Sequence, residues 1–257
     1  MEFHNLSVEV KDHIGYLTLT KSEQNSFDAK FLAEIVAAHD ALESDEEVWG
    51  VIWASASDTF FSSGLDANYM LSLDRSEKLD MFRQLFETTR RVFAFSKPEL
   101  VLLPGHAFAA GSVLAMAADW RFMAEGKARV SFPEVMLGIS MPEAMIAMLR
   151  THVGEHQLAT LIGTGDSFKA EDCLRLGVVN ALFPREELLS QGEKFMRRLF
   201  QKPLGGFRAV KKNLRRNTLA FFENDPSLDD FERLMGFNFE EALLATVDGR
   251  RPKFQNP

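Results

Sequence analysis

Apolar and polar residues alternate near the start of the chain and then take up a helical spacing. Residues 6–10 and 14–20 alternate, which predicts the two strands of a β-hairpin. Apolar residues recur three and four positions apart over residues 29–42, so we expect a helix there, with Asp28 as its N-cap. Residues 48–54 are almost uniformly apolar and predict a buried strand. This order of strands and helix indicates an α/β fold.

The middle of the chain is organised around a segment rich in small residues, 105–142. A helical spacing over residues 76–95 and a short apolar strand over residues 99–103 lead into this segment. Its small residues predict a helix over residues 112–118, followed by two strands, the second of which ends at Phe132. Beyond it the predicted elements are helices over residues 143–149 and 154–162, a helix ended by Gly177, a strand over residues 178–183, and amphipathic helices over residues 188–200, 204–221 and 228–244.

Composition narrows the class of protein. A chain of 257 residues with 46% hydrophobic and 26% charged residues is typical of a soluble globular protein with a sizeable core. The net charge of -8 argues against binding to nucleic acid or to an anionic membrane. Since there is no long apolar run, we expect neither secretion nor a membrane span, and we expect a cytoplasmic location. The lone Cys173 forms no internal disulfide, and nothing nearby would activate its thiol.

Two features of the small-residue segment suggest carbonyl chemistry. Ala109, Ala110 and Gly111 stand where a helix begins, and free backbone N–H groups at such a point can hold a developing negative charge. Glu134 follows the second strand amid apolar neighbours, which would raise its pKa towards that of a general base. Glu143 is an alternative acid, although its place in the first turn of a helix is explained by the helix dipole. Glu134 could instead be a structural carboxylate.

A second candidate loop lies at FFSSGLDANY, residues 60–69. Gly64 allows the backbone to turn sharply or to approach a ligand closely, which would leave the N–H of Leu65 pointing at a ligand oxygen. The alternative is an ordinary strand-to-helix loop with Asp66 as a helix cap. His106 is interpreted as a structural or solvent-facing residue. Three basic pairs on the predicted C-terminal helices are expected on solvated faces: Arg197-Arg198, Lys211-Lys212 and Arg215-Arg216.

Three segments of this chain, FSSGLD, KPELVLLPGHAFAAGSVLAMAADWRFM and FPEVMLGISMP, together resemble the crotonase superfamily of enoyl-CoA hydratases and isomerases. The resemblance implies an α/β spiral of β-β-α units over residues 1–200. It also implies a helical C-terminal region over residues 201–257 that builds homotrimers or hexamers. The ligand would be an acyl thioester of coenzyme A, which is part of the substrate, so that no separate cofactor and no metal are expected.

The same resemblance assigns roles to individual residues. The backbone N–H groups of Leu65 and Ala110 would form an oxyanion hole for the thioester carbonyl, and Glu134 would be the base. The residues expected to contact the coenzyme A are Ser62, Ser63, Gly64 and Asp66, and one of the basic pairs or Arg250, Arg251 and Lys253 would meet its phosphates. An acyl tunnel lined by Tyr69, Met70, Phe82 and Phe86 is a further expectation.

One position departs from the pattern of the hydratases. These enzymes activate water between two glutamates, and the place of the first is taken by Val113. One carboxylate and one aliphatic side chain cannot hold a water between two acids, whereas a single base can move a proton from C2 to C4. The sequence therefore favours a Δ3-Δ2-enoyl-CoA isomerase. The alternatives are a hydratase-like enzyme, other chemistry on the same oxyanion hole, and a non-catalytic acyl-CoA-binding oligomer.

Overall fold

The computed structural model of the protein describes residues 2–223, 225, 227, 233 and 235–256. The strands are β1 (Leu6–Lys11), β2 (Ile14–Leu19), β3 (Gly50–Ser55), β4 (Phe60–Ser62), β5 (Glu99–Leu103), β6 (His106–Phe108), β7 (Trp120–Ala124), β8 (Arg129–Ser131), β9 (Ser167–Lys169) and β10 (Ala181–Phe183). The helices are α1 (Ala29–Ser44), α2 (Ala67–Ser72), α3 (Arg75–Ala94), α4 (Ala110–Ala117), α5 (Glu143–Arg150), α6 (Glu155–Gly163), α7 (Ala170–Leu176), α8 (Leu188–Phe200), α9 (Leu204–Glu223) and α10 (Phe237–Val247).

The strands form two sheets, and from β3 to β8 successive strands belong to the two sheets in turn. The larger sheet has the order β1-β2-β3-β5-β7-β10 and the smaller one the order β4-β6-β8-β9. After the β1–β2 hairpin the larger sheet is parallel, and β4, β6 and β8 are also parallel. Successive turns of chain thus add one strand to each sheet and then a helix. This arrangement is the predicted crotonase-like α/β spiral of β-β-α units, followed by a helical C-terminal region, and both expectations are confirmed.

Local sequence signals explain most element boundaries. Asp28 caps α1 by accepting a hydrogen bond from the N–H of Phe31 (2.8 Å), as predicted. Asp74 and Glu77 form a capping box that fixes the start of α3. Helix α4 begins at Ala110, two residues earlier than expected, and every one of its residues is buried. Its small side chains allow this close packing, since a Cβ on Gly111 would lie 2.6 Å from the carbonyl oxygen of Ser62.

Several predicted boundaries were wrong. The strand β9 was missed, and β10 begins at Ala181 instead of residue 178. Both strands have only three residues, too few to show an alternating pattern. The helix predicted over residues 228–244 falls partly outside the described residues, and α10 runs from Phe237 to Val247. The division into residues 1–200 and 201–257 stays a prediction.

The expectation that the basic pairs lie on solvated faces was wrong for two residues of α9. Lys211 and Arg215 are buried, and both bind the carboxylate of Asp119 through contacts of 2.6 Å and 2.8 Å. Lys211 also donates to the carbonyl of Lys97, and Arg215 to that of Phe93. These ion pairs attach one face of α9 to the start of β7, because Asp119 directly precedes that strand. We call Asp119, Lys211 and Arg215 the α9 clamp.

Candidate active site

The loop that follows β4 is held in place by backbone hydrogen bonds to residues 24–27 and by one buried hydroxyl. The hydroxyl of Ser62 donates to the carbonyl of Asn25 (2.8 Å) and accepts from the N–H of Gly64 (3.1 Å). Gly64 has a φ of 97°, a conformation that glycine adopts without strain. A Cβ at this position would lie 2.9 Å from the carbonyl oxygen of Phe108 and 3.2 Å from the amide nitrogen of Ala110. The loop therefore packs directly against the start of α4.

The start of α4 carries an unusual backbone. Ala109 has φ 48° and ψ -124°, which a non-glycine residue adopts only at a cost of order 1–3 kcal/mol. Its N–H donates to the carbonyl of Ser131 (3.0 Å), and its carbonyl accepts from the N–H of Val113 (3.0 Å). These bonds fix the turn that aims the next amide. Within the described part of the chain, the N–H groups of Leu65 and Ala110 have no acceptor, and both residues line one cavity.

Glu134 begins a single turn of 3-10 helix, Glu134–Leu137, that comes shortly after β8. The apolar neighbours that the sequence gives this carboxylate are Val130, Phe132, Val135, Met136 and Leu137. Val130 and Phe132 are buried, and Met136 and Leu137 line the same cavity as Glu134, whereas Val135 is about half exposed outside it. The carboxylate itself is enclosed, since its Oε2 is buried and has no hydrogen-bond partner among the described residues. Burial raises the pKa of Glu134 to about 7, and a hydrogen bond with its own backbone offsets this effect only in part. A carboxyl with this pKa can both accept and return a proton near neutral pH.

These groups meet in a cavity of about 450 Å³, a size that suits a small organic ligand. Of the predicted site residues, Ser63, Leu65, Ala110, Val113 and Glu134 line it. Of the residues predicted for an acyl tunnel, Met70 and Phe82 line it, whereas Tyr69 and Phe86 do not. The rest of the lining is Ala67, Leu85, Phe108, Ala109, Ser131, Pro133, Met136, Leu137, Ile139, Met141, Pro142, Met145, Gly165, Ser167, Phe239, Leu243 and Thr246. Glu134 is the single ionisable side chain among these described lining residues.

Other predicted residues lie outside the lining. Ser62 and Gly64 shape the loop, and Asp66 caps α2 by accepting from the N–H of Tyr69 (3.1 Å). Glu143 is exposed in the first turn of α5. Phe86 is buried against Phe222 instead of lining the cavity.

His106 and the C-terminal basic residues are also placed away from the lining. His106 is half-buried on β6 beside Phe108, and burial lowers its pKa. Arg250 binds Glu241 (2.6 Å).

The sequence did not reveal the part of the lining that α10 supplies. Phe239, Leu243 and Thr246 come from this helix, which packs on α2 and on the turn at Glu134. Their spacing along the chain shows that one helix face is buried, but not which part of the molecule buries it. The signal for this contact is long-range packing, which periodicity does not contain.

Two further properties follow from the described residues. They contain no group of three or more His, Cys, Asp or Glu side chains placed to bind a metal ion. None of the described helices combines the length and the apolar character that a membrane crossing requires. The cytoplasmic location stays a prediction.

The geometry defines a class of chemistry. Two free amides can polarise a carbonyl and hold the negative charge that develops on its oxygen, while one enclosed carboxylate moves a proton on a neighbouring carbon. The site is therefore suited to enolate-stabilised proton transfer on a carbonyl compound. The family model described as enoyl-CoA hydratase/isomerase matches residues 9–228. The chain belongs to this family, within the crotonase superfamily.

Named relatives include both kinds of enzyme. A crotonyl-CoA hydratase of Syntrophomonas wolfei is 29% identical over 79% of this chain and 78% of its own. An enoyl-CoA delta isomerase 2 of Arabidopsis thaliana, a peroxisomal protein, is 27% identical over 70% of this chain and 78% of its own. The crystal structure of the human mitochondrial delta3-delta2-enoyl-CoA isomerase matches with a TM-score of 0.90, at 21% identity, over 96% of this chain and 98% of that one. The protein is thus an acyl-CoA enzyme of this family.

Proposed function

We propose that the protein is a Δ3-Δ2-enoyl-CoA isomerase. Glu134 removes a proton from C2 of a 3-enoyl thioester, which breaks the C2–H bond and gives a dienolate. The N–H groups of Leu65 and Ala110 hold the dienolate oxygen. The same carboxyl then delivers the proton to C4, so the double bond moves to the 2-position and nothing is gained or lost. Such donors typically contribute about 3 kcal/mol each to stabilising the transition state.

The observation that carries this proposal is the lone carboxylate in the cavity. Hydration needs a water held between two acids, and the second lining position available on α4 is the aliphatic Val113, which is buried. Glu134 has an apolar environment and a pKa of about 7, which suits a group that gives back the proton it takes. A hydratase is the second candidate, because relatives with this name match the chain.

A side-by-side assay of 3-hexenoyl-CoA and 2-hexenoyl-CoA separates these functions. We expect the purified protein to convert the first into the second and to hydrate the second far more slowly. Comparable rates would favour the hydratase. Binding of both compounds without turnover of either would favour the non-catalytic acyl-CoA-binding oligomer.

The base is tested by Glu134→Gln, which keeps the size of the side chain and removes the proton acceptor. We expect turnover to fall by at least a thousandfold while the affinity for acyl-CoA is retained. Glu143→Gln is the matched control, since Glu143 is exposed outside the lining. Near-normal turnover in Glu134→Gln, or loss of turnover only in Glu143→Gln, contradicts the assignment.

We also propose that the protein forms a homo-oligomer, a trimer or hexamer, through the outward face of α9. Val210, Leu214 and Phe221 lie on this face at helical spacing and are exposed, with Leu214 at 74%. The buried cations of the α9 clamp lie about 100° around the helix from this face. Exposed apolar residues aligned on one face of a helix are explained if a further copy of the chain covers that face.

A further inference from the structure

The first turn of α4 is joined to the smaller sheet by one buried hydroxyl. The hydroxyl oxygen of Ser112 lies 2.6 Å from the carbonyl oxygen of Ala107 and 2.9 Å from that of Ser131, and its single hydrogen is shared between them. Ala107 belongs to β6, and Ser131 is the last residue of β8. Ser112 is buried, in surroundings of low dielectric that strengthen such a bond. The hydroxyl therefore ties the helix to two strands.

The carbonyl of Ser131 also holds the turn that leads into the helix. It accepts from the N–H of Ala109 (3.0 Å) as well as from the hydroxyl of Ser112. The positive φ of Ala109 is unfavourable for any residue that has a Cβ. A backbone conformation of this kind persists only where the surrounding structure fixes it. Ser112 belongs to that surrounding structure, because it fastens the chain on the far side of the turn.

The conformation of Ala109 decides where the next amide points. The carbonyl of Ala109 and the N–H of Ala110 belong to one rigid trans peptide unit, so they point in opposite directions. Because the carbonyl accepts from the N–H of Val113 (3.0 Å), the N–H of Ala110 points off the start of the helix, where the cavity lies. A relaxation of Ala109 to an ordinary conformation would rotate this unit and turn the amide away from the cavity.

We propose that Ser112 is a positioning residue, which keeps the N–H of Ala110 directed at the carbonyl oxygen of the substrate. The proposal rests on the proposed function and adds to it a residue outside the cavity lining. Ser112 acts through Ala109: without the hydroxyl the strained turn relaxes, and the peptide unit that carries the amide rotates with it. The effect is greatest when negative charge develops on the oxygen, since the amide stabilises that charge.

Ser112→Ala tests this role through a split between turnover and binding. We expect kcat for 3-hexenoyl-CoA to fall by about tenfold or more. The Kd of the saturated hexanoyl-CoA should change by less than about threefold, because a ground-state carbonyl gains less from the amide than a dienolate oxygen does. Ser112→Cys has a weaker donor in a side chain of similar shape, and its kcat should lie between the two. This variant keeps the test available if the alanine variant does not fold.

A second buried hydroxyl provides the matched control. Thr88 on α3 donates to the carbonyl of Gln84 (2.8 Å), is buried and does not line the cavity. Thr88→Val removes this hydrogen bond while it keeps the shape of the side chain. Both kcat and the Kd of hexanoyl-CoA should stay within about twofold of the wild type, even if the variant loses as much stability as Ser112→Ala does.

A glycine at position 109 separates positioning from a general structural effect. Glycine adopts φ 48° and ψ -124° without the steric cost that alanine carries, so the turn depends less on Ser112. We expect Ser112→Ala to lower kcat by no more than about threefold when Ala109→Gly is also present, because the two positions are coupled. An equal fold-loss of kcat with alanine and with glycine at position 109 overturns the proposal.

The carbonyl of a bound thioester shows the direction of the amide without any turnover. Hexanoyl-CoA labelled with carbon-13 at the carbonyl is measured by difference infrared spectroscopy, free and bound to the wild type, Ser112→Ala and Thr88→Val. Hydrogen bonds from the two amides lower the stretching frequency, and we expect Ser112→Ala to lose about half of that shift, the share of one donor.

The outcomes separate this proposal from the isomerase function. An unchanged infrared shift in Ser112→Ala overturns the positioning role, and so does an equal loss of the shift in Thr88→Val. A wild type that shows the shift but does not isomerise 3-hexenoyl-CoA contradicts the isomerase alone, and the Ser112→Ala spectrum still decides the role of Ser112. A wild type that leaves the carbonyl frequency unchanged contradicts both.

Discussion

At the scale of single residues, the site depends on a carboxylate that is removed from solvent. One oxygen of Glu134 has no hydrogen-bond partner in the described part of the chain, and burial raises the pKa of the group. The sequence could predict this residue because its signal is local: a carboxylate directly after a strand, among apolar neighbours. The residues that enclose it could be predicted only in part. Val135 is exposed outside the lining, and parts of the cavity wall come from helices far along the chain.

The raised pKa of Glu134 predicts a pH dependence. The base must be ionised to accept a proton, and burial holds its pKa at about 7, so the protonated and inactive form dominates below that value. We expect kcat/KM for 3-hexenoyl-CoA to fall about tenfold for each pH unit below 7 and to level off above it. A profile that stays flat down to pH 5 would show that the enclosed carboxylate is not the base. The Glu143→Gln variant should retain the wild-type profile.

Gly64 provides a test of the contact between the two donor loops. Gly64→Ala places a Cβ 2.9 Å from a backbone oxygen, which forces the loop away from α4 and displaces both free amides. We expect kcat/KM to fall on the order of a hundredfold. Gly126 has the same φ of 97° with no atom near its Cβ position, so Gly126→Ala isolates the backbone strain. That variant should cost about 1 kcal/mol of unfolding free energy and leave kcat/KM unchanged. Equal activities of the two variants would refute the argument.

At the scale of elements, the helix that the sequence described least well is α9. Its periodicity shows two faces of different polarity but does not say which one meets the core. Lys211 and Arg215 point inward because Asp119, at the end of α4, supplies a buried counter-charge. This pairing joins residues that are far apart in sequence, so no local pattern contains it. The N-caps of α1 and α3, in contrast, lie beside the helices that they begin, and local chemistry indicates them.

The α9 clamp predicts a large stability effect from one substitution. Asp119→Asn removes the carboxylate that contacts both the ammonium of Lys211 and the guanidinium of Arg215, while both cations stay buried. We expect the free energy of unfolding in urea to fall by about 3 kcal/mol. Asp40→Asn is the control, because Asp40 binds Arg91 at 2.6 Å but is 60% exposed. Exposed pairs contribute about 0.5 kcal/mol. Similar losses in both variants would mean that the clamp adds nothing beyond a surface ion pair.

At the scale of the whole molecule, the spiral could be predicted because three separated motifs share one order and spacing. Each motif by itself fits several loops, whereas their combination fits one fold. The predicted activity is more specific than the fold can indicate, since relatives in the same family include hydratases and isomerases. The distinction depends on single side chains, Val113 and Glu134, and the fold does not decide it.

The outward face of α9 predicts the state of association. Leu214→Glu places a charge in the middle of the exposed apolar stripe, and burial of that charge between copies would cost several kcal/mol. We expect the wild type to sediment as a trimer or hexamer and the variant to dissociate at the same concentration. Leu189→Glu changes another exposed leucine, on α8, and should leave the assembly intact. If Leu214→Glu sediments as the wild type does, the interface lies elsewhere.

The position of α10 in the chain has a consequence for biosynthesis. The donors at Leu65 and Ala110 and the acid at Glu134 are all synthesised well before Phe239 and Leu243, which complete the cavity wall. A growing polypeptide therefore exposes the reactive groups before it completes the wall of the cavity around them. We expect a chain that is still on the ribosome not to bind acyl thioesters until α10 has packed against the rest of the fold. Ligand binding then shows that α10 has been synthesised and has packed against α2 and the turn at Glu134.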